Sequence, residues 1–258
     1  MKITALTENT TKKENMEIEH GLSLYIEADG KKILFDMGQT DTFAKNAKKL
    51  GIDLADIDLA ILSHGHYDHG GGLAEFLRIN KKAPVYINRN AFGEHYNGTE
   101  KYIGLDKKLK ESPRLVFTDE TCKLSPALTL DACNQRKRAH TGFGKELSEK
   151  RGDTFVPDEF LHEQYLLIEE NGKRVLISGC SHKGILNIVD WFEPDVLIGG
   201  FHFSKLELGE ELASAAKYLT HKSCRFYTCH CTGEAQFEFI KSFIPDMNYL
   251  SCGESIEI

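Results

Sequence analysis

A run of potential metal ligands follows a short apolar segment in the first third of the chain. Residues 58–62, Asp-Leu-Ala-Ile-Leu, predict a short buried strand, and after Ser63 the chain continues as His64-Gly65-His66-Tyr67-Asp68-His69. Imidazole nitrogens and a carboxylate oxygen are the ligands of a borderline divalent cation such as zinc. Because a buried strand holds the loop that follows it, the loop can aim these side chains in different directions. The motif therefore predicts a metal centre at the end of a strand in a layered sheet structure.

The spacing within the motif predicts two ions. His64 and His66 can reach one ion, while Asp68 and His69 reach a second ion nearby. If the metal centre is hydrolytic, Asp68 is also expected to position the metal-bound hydroxide that attacks the substrate. The three glycines at 70–72 let the backbone turn sharply and approach the site closely. Four ligands cannot fill two sites, so we expect further ligands from distant parts of the chain.

Three distant histidines follow predicted strands. His182 and His230 are expected as metal ligands, because the ends of strands gather at one edge of a layered sheet structure. His202 also follows a predicted strand and is expected to face the same pocket, as a catalytic group that contacts substrate or transfers a proton. Charged or polar surroundings predict surface positions for three others, which are His95, His162 and His221.

The rest of the chain predicts sheets covered by helices. Residues 22–27 and 32–36 read as a hairpin, and residues 164–168 and 174–179 read as a second one. Residues 88–157 have weak periodicity, and we expect irregular structure there, including loops that cap the site. The other predicted elements are helices over 40–50, 184–193, 209–219 and 233–243 and strands over 84–87, 195–199 and 225–229. This order favours α/β (α+β) layering.

Composition argues against two kinds of partner. A net charge of -7 is unlike that of a general nucleic-acid binder. No apolar run approaches the roughly 20 residues that span a bilayer, and the N-terminus lacks the apolar segment of a signal peptide. The seven cysteines, an odd number without framework spacing, fit reduced thiols. We expect a cytoplasmic protein with a single domain over 1–258, a small-molecule substrate and no nucleic-acid or membrane partner.

A basic cluster and two cysteine segments have open interpretations. Arg136 and Lys137 are candidates for binding an anionic substrate such as a phosphorylated molecule, and a solvated loop is the alternative. Cys229-x-Cys231 lacks the C-x-x-C spacing of zinc and redox pairs, so buried small side chains are expected there. Cys180 is expected beside the metals, with ligation by its thiolate as an alternative.

These segments resemble the metallo-β-lactamase superfamily, whose H-x-H-x-D-H loop followed by glycines matches residues 64–69. The resemblance covers most of the chain and implies a four-layer αββα sandwich with the site at the sheet edges. It implies that Asp36, at the end of a strand, supports the histidine loop. The superfamily's bridging aspartate falls where this chain has Cys180, and His182 follows two residues later.

Further segments resemble one branch of that superfamily, the synthases that join a dihydropterin to a ribofuranosyl-aminobenzene phosphate. These segments are Leu6-Thr7-Glu8-Asn9, Glu19-His20-Gly21-Leu22-Ser23, Gly179-Cys180-Ser181-His182, Gly199-Gly200-Phe201-His202 and His230-Cys231-Thr232-Gly233. His20 is expected to contact substrate.

The resemblance implies a metal-dependent hydrolase, in which hydroxide formed from metal-bound water attacks an ester or phosphoester. The alternatives are a transferase that uses a dihydropterin diphosphate and a non-enzymatic metal-containing binding protein. Zinc is the first expectation for the two ions, although the same ligands accept manganese, iron or nickel.

Overall fold

The computed structural model describes residues 1–141 and 146–258, in which eighteen strands form three sheets accompanied by six α-helices. The strands are β1 (Lys2–Thr7), β2 (Ser23–Ala28), β3 (Lys31–Phe35), β4 (Leu59–Ile61), β5 (Val85–Asn88), β6 (His95–Asn97), β7 (Lys101–Tyr102), β8 (Leu115–Thr118), β9 (Thr121–Lys123), β10 (Leu128–Asp131), β11 (Leu147–Arg151), β12 (Thr154–Pro157), β13 (Tyr165–Glu170), β14 (Lys173–Ile177), β15 (Val196–Gly199), β16 (Arg225–Thr228), β17 (Asn248–Tyr249) and β18 (Ser255–Glu257). The helices are α1 (Thr42–Lys49), α2 (Tyr67–Gly70), α3 (Leu73–Ile79), α4 (Ile185–Phe192), α5 (Glu210–Thr220) and α6 (Glu234–Lys241).

Two seven-stranded sheets carry the fold. The first has the order β18-β1-β2-β3-β4-β5-β8, and the second has the order β17-β16-β15-β14-β13-β10-β9. In each sheet an antiparallel hairpin, β2–β3 or β13–β14, leads into a row of parallel strands. Both predicted hairpins are confirmed. They turn at Asp29-Gly30 and Asn171-Gly172, where both central residues have positive φ, as a type I′ turn requires.

Alternation along the strands sorts the apolar side chains into layers. On β13, Leu166 and Ile168 pack between the two sheets, whereas Tyr165 and Leu167 face the helices outside. Helices α1 and α3 cover the first sheet, and α4, α5 and α6 cover the second. The fold is therefore the expected αββα sandwich. The longest helix in the described ranges, α5, has 11 residues, and none there is long and apolar enough to cross a bilayer.

The middle of the chain is more regular than its sequence indicates. Residues 88–157 contain β6 to β12, so the expectation of irregular structure is wrong for these segments. Strands β8, β9 and β10 extend the two large sheets, while β12-β11-β6-β7 form a small third sheet. Five of these strands, β6, β7, β9, β11 and β12, have two to five residues and are mostly half-exposed or exposed, so they lack the alternation that marks a buried strand.

Candidate metal centre

The predicted ligands come from both large sheets. The loop 63–69 follows β4 in the first sheet, with Asp68 and His69 in the short helix α2. His182 follows β14 and His230 follows β16 in the second sheet. The side chains nevertheless meet in one place, and none of the six exposes more than 8% of its surface.

Three histidines form what we call the first donor set. Ring nitrogens of His64, His66 and His182 lie within 4.8 Å of one another. The Nε2 atoms of His64 and His66 and both ring nitrogens of His182 are buried without a hydrogen-bond partner among the described residues. Such nitrogens are costly to bury, and their convergence fits a divalent cation. Phe160 stacks on the His182 ring at 4.5 Å between centroids and fixes its plane.

Asp68, His69 and His230 form the second donor set. The Nε2 atoms of His69 and His230 are 3.2 Å apart, and Asp68 Oδ2 lies 4.0 Å from the first and 3.5 Å from the second. Ligands about 2.1 Å from a tetrahedral ion are about 3.4 Å apart, so these separations fit one ion bound by all three residues. Cys180 Sγ lies 3.1 Å from His69 Nε2, at the edge of this set.

Asp36 lies directly behind the histidine loop. One carboxylate oxygen accepts the Ser63 backbone N–H at 2.7 Å, and the other contacts the Ser63 hydroxyl and His69 Nδ1, each at 2.7 Å. Since the Ser63 hydroxyl donates to Asp36, its oxygen accepts from His64 Nδ1 at 2.8 Å. Both histidines therefore carry their proton on Nδ1 and direct an unprotonated Nε2 into the centre.

We expect Asp36→Asn to weaken metal binding about 10–100-fold, because this carboxylate orients two histidines. Asparagine tolerates the left-handed backbone at this position (φ 60°), but its amide offers only one acceptor oxygen. Competition with a chromophoric chelator measures the affinity. Asp58→Asn, in the exposed residue before β4 begins, is the control and should bind metal as the wild type does. Equal affinities of Asp36→Asn and wild type would contradict the assignment.

Asn9 fixes the proton positions of two further histidines. Its Oδ1 accepts the Gly21 backbone N–H at 3.3 Å, so the 2.8 Å contact with His230 Nδ1 is donated by the histidine. His230 Nε2 is therefore free for a metal. The Nδ2 of Asn9 lies 3.4 Å from His20 Nδ1, which leaves the His20 proton on Nε2, 3.2 Å from Asp68 Oδ2. His20 is thus placed as a donor to Asp68.

Substitutions of Asn9 should separate these two effects. Asn9→Asp keeps an acceptor for His230 but also presents an acceptor to His20, so the His20 proton should move to Nδ1. Asn9→Ala removes both contacts and should weaken metal binding about 10–100-fold. Nitrogen NMR of the histidine rings in the zinc-loaded protein detects the tautomers. An unchanged His20 tautomer in Asn9→Asp would contradict the assignment.

Burial and neighbouring charges favour the metal-binding protonation states. Burial lowers the pKa of His64, His66 and His182 well below the usual value, and adjacent histidines lower it further. Burial opposes ionisation of Asp68, but His69, together with other nearby histidines, outweighs it and holds the pKa of the carboxyl well below its usual range. The first donor set thus offers neutral imidazoles and Asp68 a carboxylate, which are the forms that bind a cation. At His69, burial lowers the pKa, but the carboxylates of Asp36 and Asp68 outweigh it and raise the pKa above its usual value.

His95 and His162 are buried, each only 1% exposed, so the expectation of surface positions is wrong for both, whereas His221 is exposed. His162 Nδ1 accepts the Gly65 backbone N–H at 2.9 Å. Asp158 contacts His95 Nδ1 at 2.8 Å and His162 Nε2 at 3.3 Å. Asp158 thus holds both histidines, and His162 supports the histidine loop through the Gly65 backbone.

Glycine is required in the middle of the loop. A Cβ on Gly65 would lie 2.1 Å from the backbone oxygen of Ala91, which cannot move aside easily. Gly71 and Gly72 have ordinary negative φ, so the sharp turn expected there is not what requires glycine. A Cβ on either would lie 2.2 Å from the backbone of residues 37–39, so both allow close packing.

Glu163 holds the segment that carries His182. Its carboxylate accepts the backbone N–H groups of His182 at 2.7 Å and Lys183 at 3.0 Å, and the Tyr165 hydroxyl at 2.5 Å. The Lys183 ammonium is buried beside it and donates to the Glu163 backbone carbonyl. Sequence reasoning missed Glu163, because an acidic residue before a strand has no local pattern that reveals such contacts.

Arg136 and Lys137, predicted as substrate contacts, contact Asp131 and Trp191 and are absent from both donor sets. The Arg136 guanidinium donates to the Trp191 carbonyl at 2.6 Å and to Asp131 at 3.1 Å. The Lys137 carbonyl accepts from the Trp191 indole at 3.2 Å. The cluster packs against the end of α4, where carbonyl and carboxylate oxygens satisfy the arginine cation.

A cavity of about 140 Å³ opens beside the donor sets. His20 and His202 face it, as expected, and the first donor set reaches it through His66 and His182. The third sheet supplies another wall through Lys101 and neighbouring residues. The third sheet therefore caps the site. A cap was expected from residues 88–157, although from loops and not from strands.

Comparison with known proteins places this site in a family. The model of the metallo-beta-lactamase superfamily matches residues 18–222. A 7,8-dihydropterin-6-methyl-4-(beta-D-ribofuranosyl)-aminobenzene-5'-phosphate synthase of Methanocaldococcus jannaschii is 31% identical over 270 residues, covering 93% of this chain and 90% of the synthase. The structure of Tm1679, a metal-dependent hydrolase of the beta-lactamase superfamily, is 30% identical with a TM-score of 0.84, covering 100% of this chain and 99% of that one. The chain belongs to the metallo-β-lactamase superfamily.

Proposed function

We propose that the protein is a metal-dependent hydrolase that cleaves an ester or phosphoester bond in a small anionic molecule. The first donor set would hold one divalent ion and the second donor set another, with zinc as the first candidate. The observation that carries this proposal is the convergence of six buried donors beside an open cavity, several with ring nitrogens that have no partner among the described residues.

In the proposed reaction, the ions and the surrounding side chains have different roles. Ions held here would lower the pKa of water towards ~7 and so supply hydroxide at neutral pH. Asp68, held as a carboxylate, orients the attacking group. His20, half-exposed beside the cavity, carries its proton on Nε2, from which it would hydrogen-bond to Asp68 or to a substrate oxygen in the cavity.

Lys101 favours an anionic substrate. Its ammonium lies 5.5 Å from the centroid of the Tyr67 ring, at the cavity wall, and no carboxylate of the described residues lies within ion-pair distance of it. Lys205, at another wall, is already paired with Glu146 at 2.7 Å. The Lys101 ammonium donates to the neutral Tyr67 hydroxyl at 3.5 Å. A cation that no carboxylate neutralises attracts anions locally, even though the chain as a whole is negative.

The test is a panel of phosphodiester, phosphomonoester, lactone and thioester substrates, assayed with zinc- or manganese-loaded protein. We expect turnover of at least one phosphorylated class, and loss of that turnover after chelation or in His64→Ala. Lys101→Ala should raise KM for that substrate, whereas Lys108→Ala, outside the cavity, should not. Absence of turnover across the panel with fully metal-loaded protein would overturn the proposal.

A transferase is the second candidate, and the synthase relative at 31% identity favours it. In that reaction an aromatic phosphate compound would displace diphosphate from a dihydropterin. Consumption of the dihydropterin diphosphate only when the second substrate is present would support transfer, whereas consumption without it would support hydrolysis. Ligand-induced stabilisation without turnover would indicate a binding protein.

A further inference from the structure

A cluster of two cysteines and one histidine lies beside the second donor set. The Sγ atoms of Cys180 and Cys231 and a ring nitrogen of His202 lie within 4.8 Å of one another, and all three residues line the cavity. They follow β14, β16 and β15, which are neighbouring parallel strands. Because the carboxyl ends of parallel strands lie side by side, the topology itself brings these donors together.

Independent observations indicate that the cluster binds a ligand. The Nδ1 atom of His202 is buried without a hydrogen-bond partner among the described residues. His202 is held at φ 55°, a left-handed conformation that is uncommon for residues other than glycine. A Cβ on Gly200 would lie 2.3 Å from Cys231 Sγ, so glycine leaves the space that the sulfur occupies. The His202 backbone N–H donates to that sulfur at 3.3 Å, and the Cys231 thiol in turn donates to the Cys180 carbonyl at 3.5 Å, so the sulfur is held in place within the cluster.

We propose that Cys180, Cys231 and His202 form a third metal position, which binds a thiophilic divalent ion such as zinc. Two thiolates and a neutral imidazole leave a divalent ion with no net charge, which suits a buried site. Binding releases the two thiol protons to solvent. Three protein ligands leave one coordination position open towards the cavity.

The assignment gives His202 a ligand role in place of proton transfer. It also extends the proposed metal centre, because Cys180 lies at the edge of the second donor set. Its thiolate would be shared between the second and third ions. In the superfamily pattern, a bridging aspartate occupies this position. The inference rests on metal binding by the centre, but not on the reaction that the centre catalyses.

Cobalt loading of the reduced full-length protein tests this position, because thiolate ligands produce an intense charge-transfer band that histidine and carboxylate ligands do not. We expect the wild type to show this band. Cys231→Ser should lose about half of its intensity, since one of two sulfur ligands is removed, and should bind one cobalt fewer per chain. Cys229→Ser is the matched control, because Cys229 is equally buried in the same segment but lies outside the cluster.

The outcomes separate this inference from the proposed function. Cobalt bound by the wild type without a thiolate band, or a full band in Cys231→Ser, would overturn the third position alone. A wild type that binds no cobalt would overturn the proposed function as well. Should Cys231→Ser fail to fold by circular dichroism, His202→Ala tests the same site, with loss of one cobalt per chain expected and full occupancy overturning the inference.

Discussion

His182→Ala is expected to lower the metal content by one ion per chain. It should also remove most of the stabilisation that an ion in the first donor set gives to the folded protein. The loss of a direct ligand should weaken binding by more than the roughly 10–100-fold typical of an outer-shell partner. An ion at 1,000 times its Kd stabilises the folded state by about 4 kcal/mol. The free energy of unfolding of the wild type should therefore rise with zinc by about this amount, while that of the variant should rise much less.

Metal analysis and urea unfolding with and without zinc measure both effects. His64→Ala should behave like His182→Ala, because the two residues belong to the same donor set. His221→Ala is the control, since His221 is exposed and outside every donor set among the described residues. A His182→Ala protein that retains full metal content would show that His182 is not a ligand.

Glu163→Ala is expected to lower the free energy of unfolding by about 3–5 kcal/mol, even without metal, because three buried donors would lose their acceptor. It would leave two buried backbone N–H groups and the Tyr165 hydroxyl without their acceptor. It would also remove the carboxylate whose charge favours the ammonium form of the buried Lys183. Burial already lowers the pKa of Lys183 to about 8, against the opposing effect of Glu163. Loss of Glu163 should lower that pKa further.

Urea unfolding of the metal-free protein checks this prediction. Glu169→Ala, in an exposed residue of the same β13 strand, should change the free energy by no more than about 0.5 kcal/mol. Glu163→Gln keeps one acceptor oxygen and should fall between the two. If Glu163→Ala and Glu169→Ala unfold at the same urea concentration, the carboxylate does not hold the His182 segment.

Local pattern was sufficient for much of the fold. The hairpins were visible because Asp29-Gly30 and Asn171-Gly172 combine turn chemistry with flanking strands of alternating side chains. The loop at 64–69 was visible because its donors are adjacent in the chain. His182 and His230 could be chosen from many histidines because each follows a buried strand, and the ends of such strands converge.

The roles of the other site residues could not be predicted, because they depend on contacts between distant segments of the chain. Asn9 reaches His230 across 221 positions, and His162 reaches Gly65 across 97, so neither pairing leaves a local signal. The surroundings of Arg136 could not be predicted either. A basic cluster shows where cations occur in the chain, but not that a tertiary neighbour such as Asp131 already satisfies them. Contacts of this kind become visible only once the chain has folded.

Because the first and second donor sets are each divided between the two sheets, we expect ion binding by these sets to be a late event in folding. The first sheet holds the loop 63–69, and the second holds His182 and His230, so neither sheet alone contains a complete donor set. An ion in the first or second donor set can be bound by all its ligands only after the two sheets have docked, whereas the ligands of the proposed third position all follow strands of the second sheet. In a refolding experiment, cobalt binding by the first and second donor sets would then time the docking step separately from the formation of either sheet.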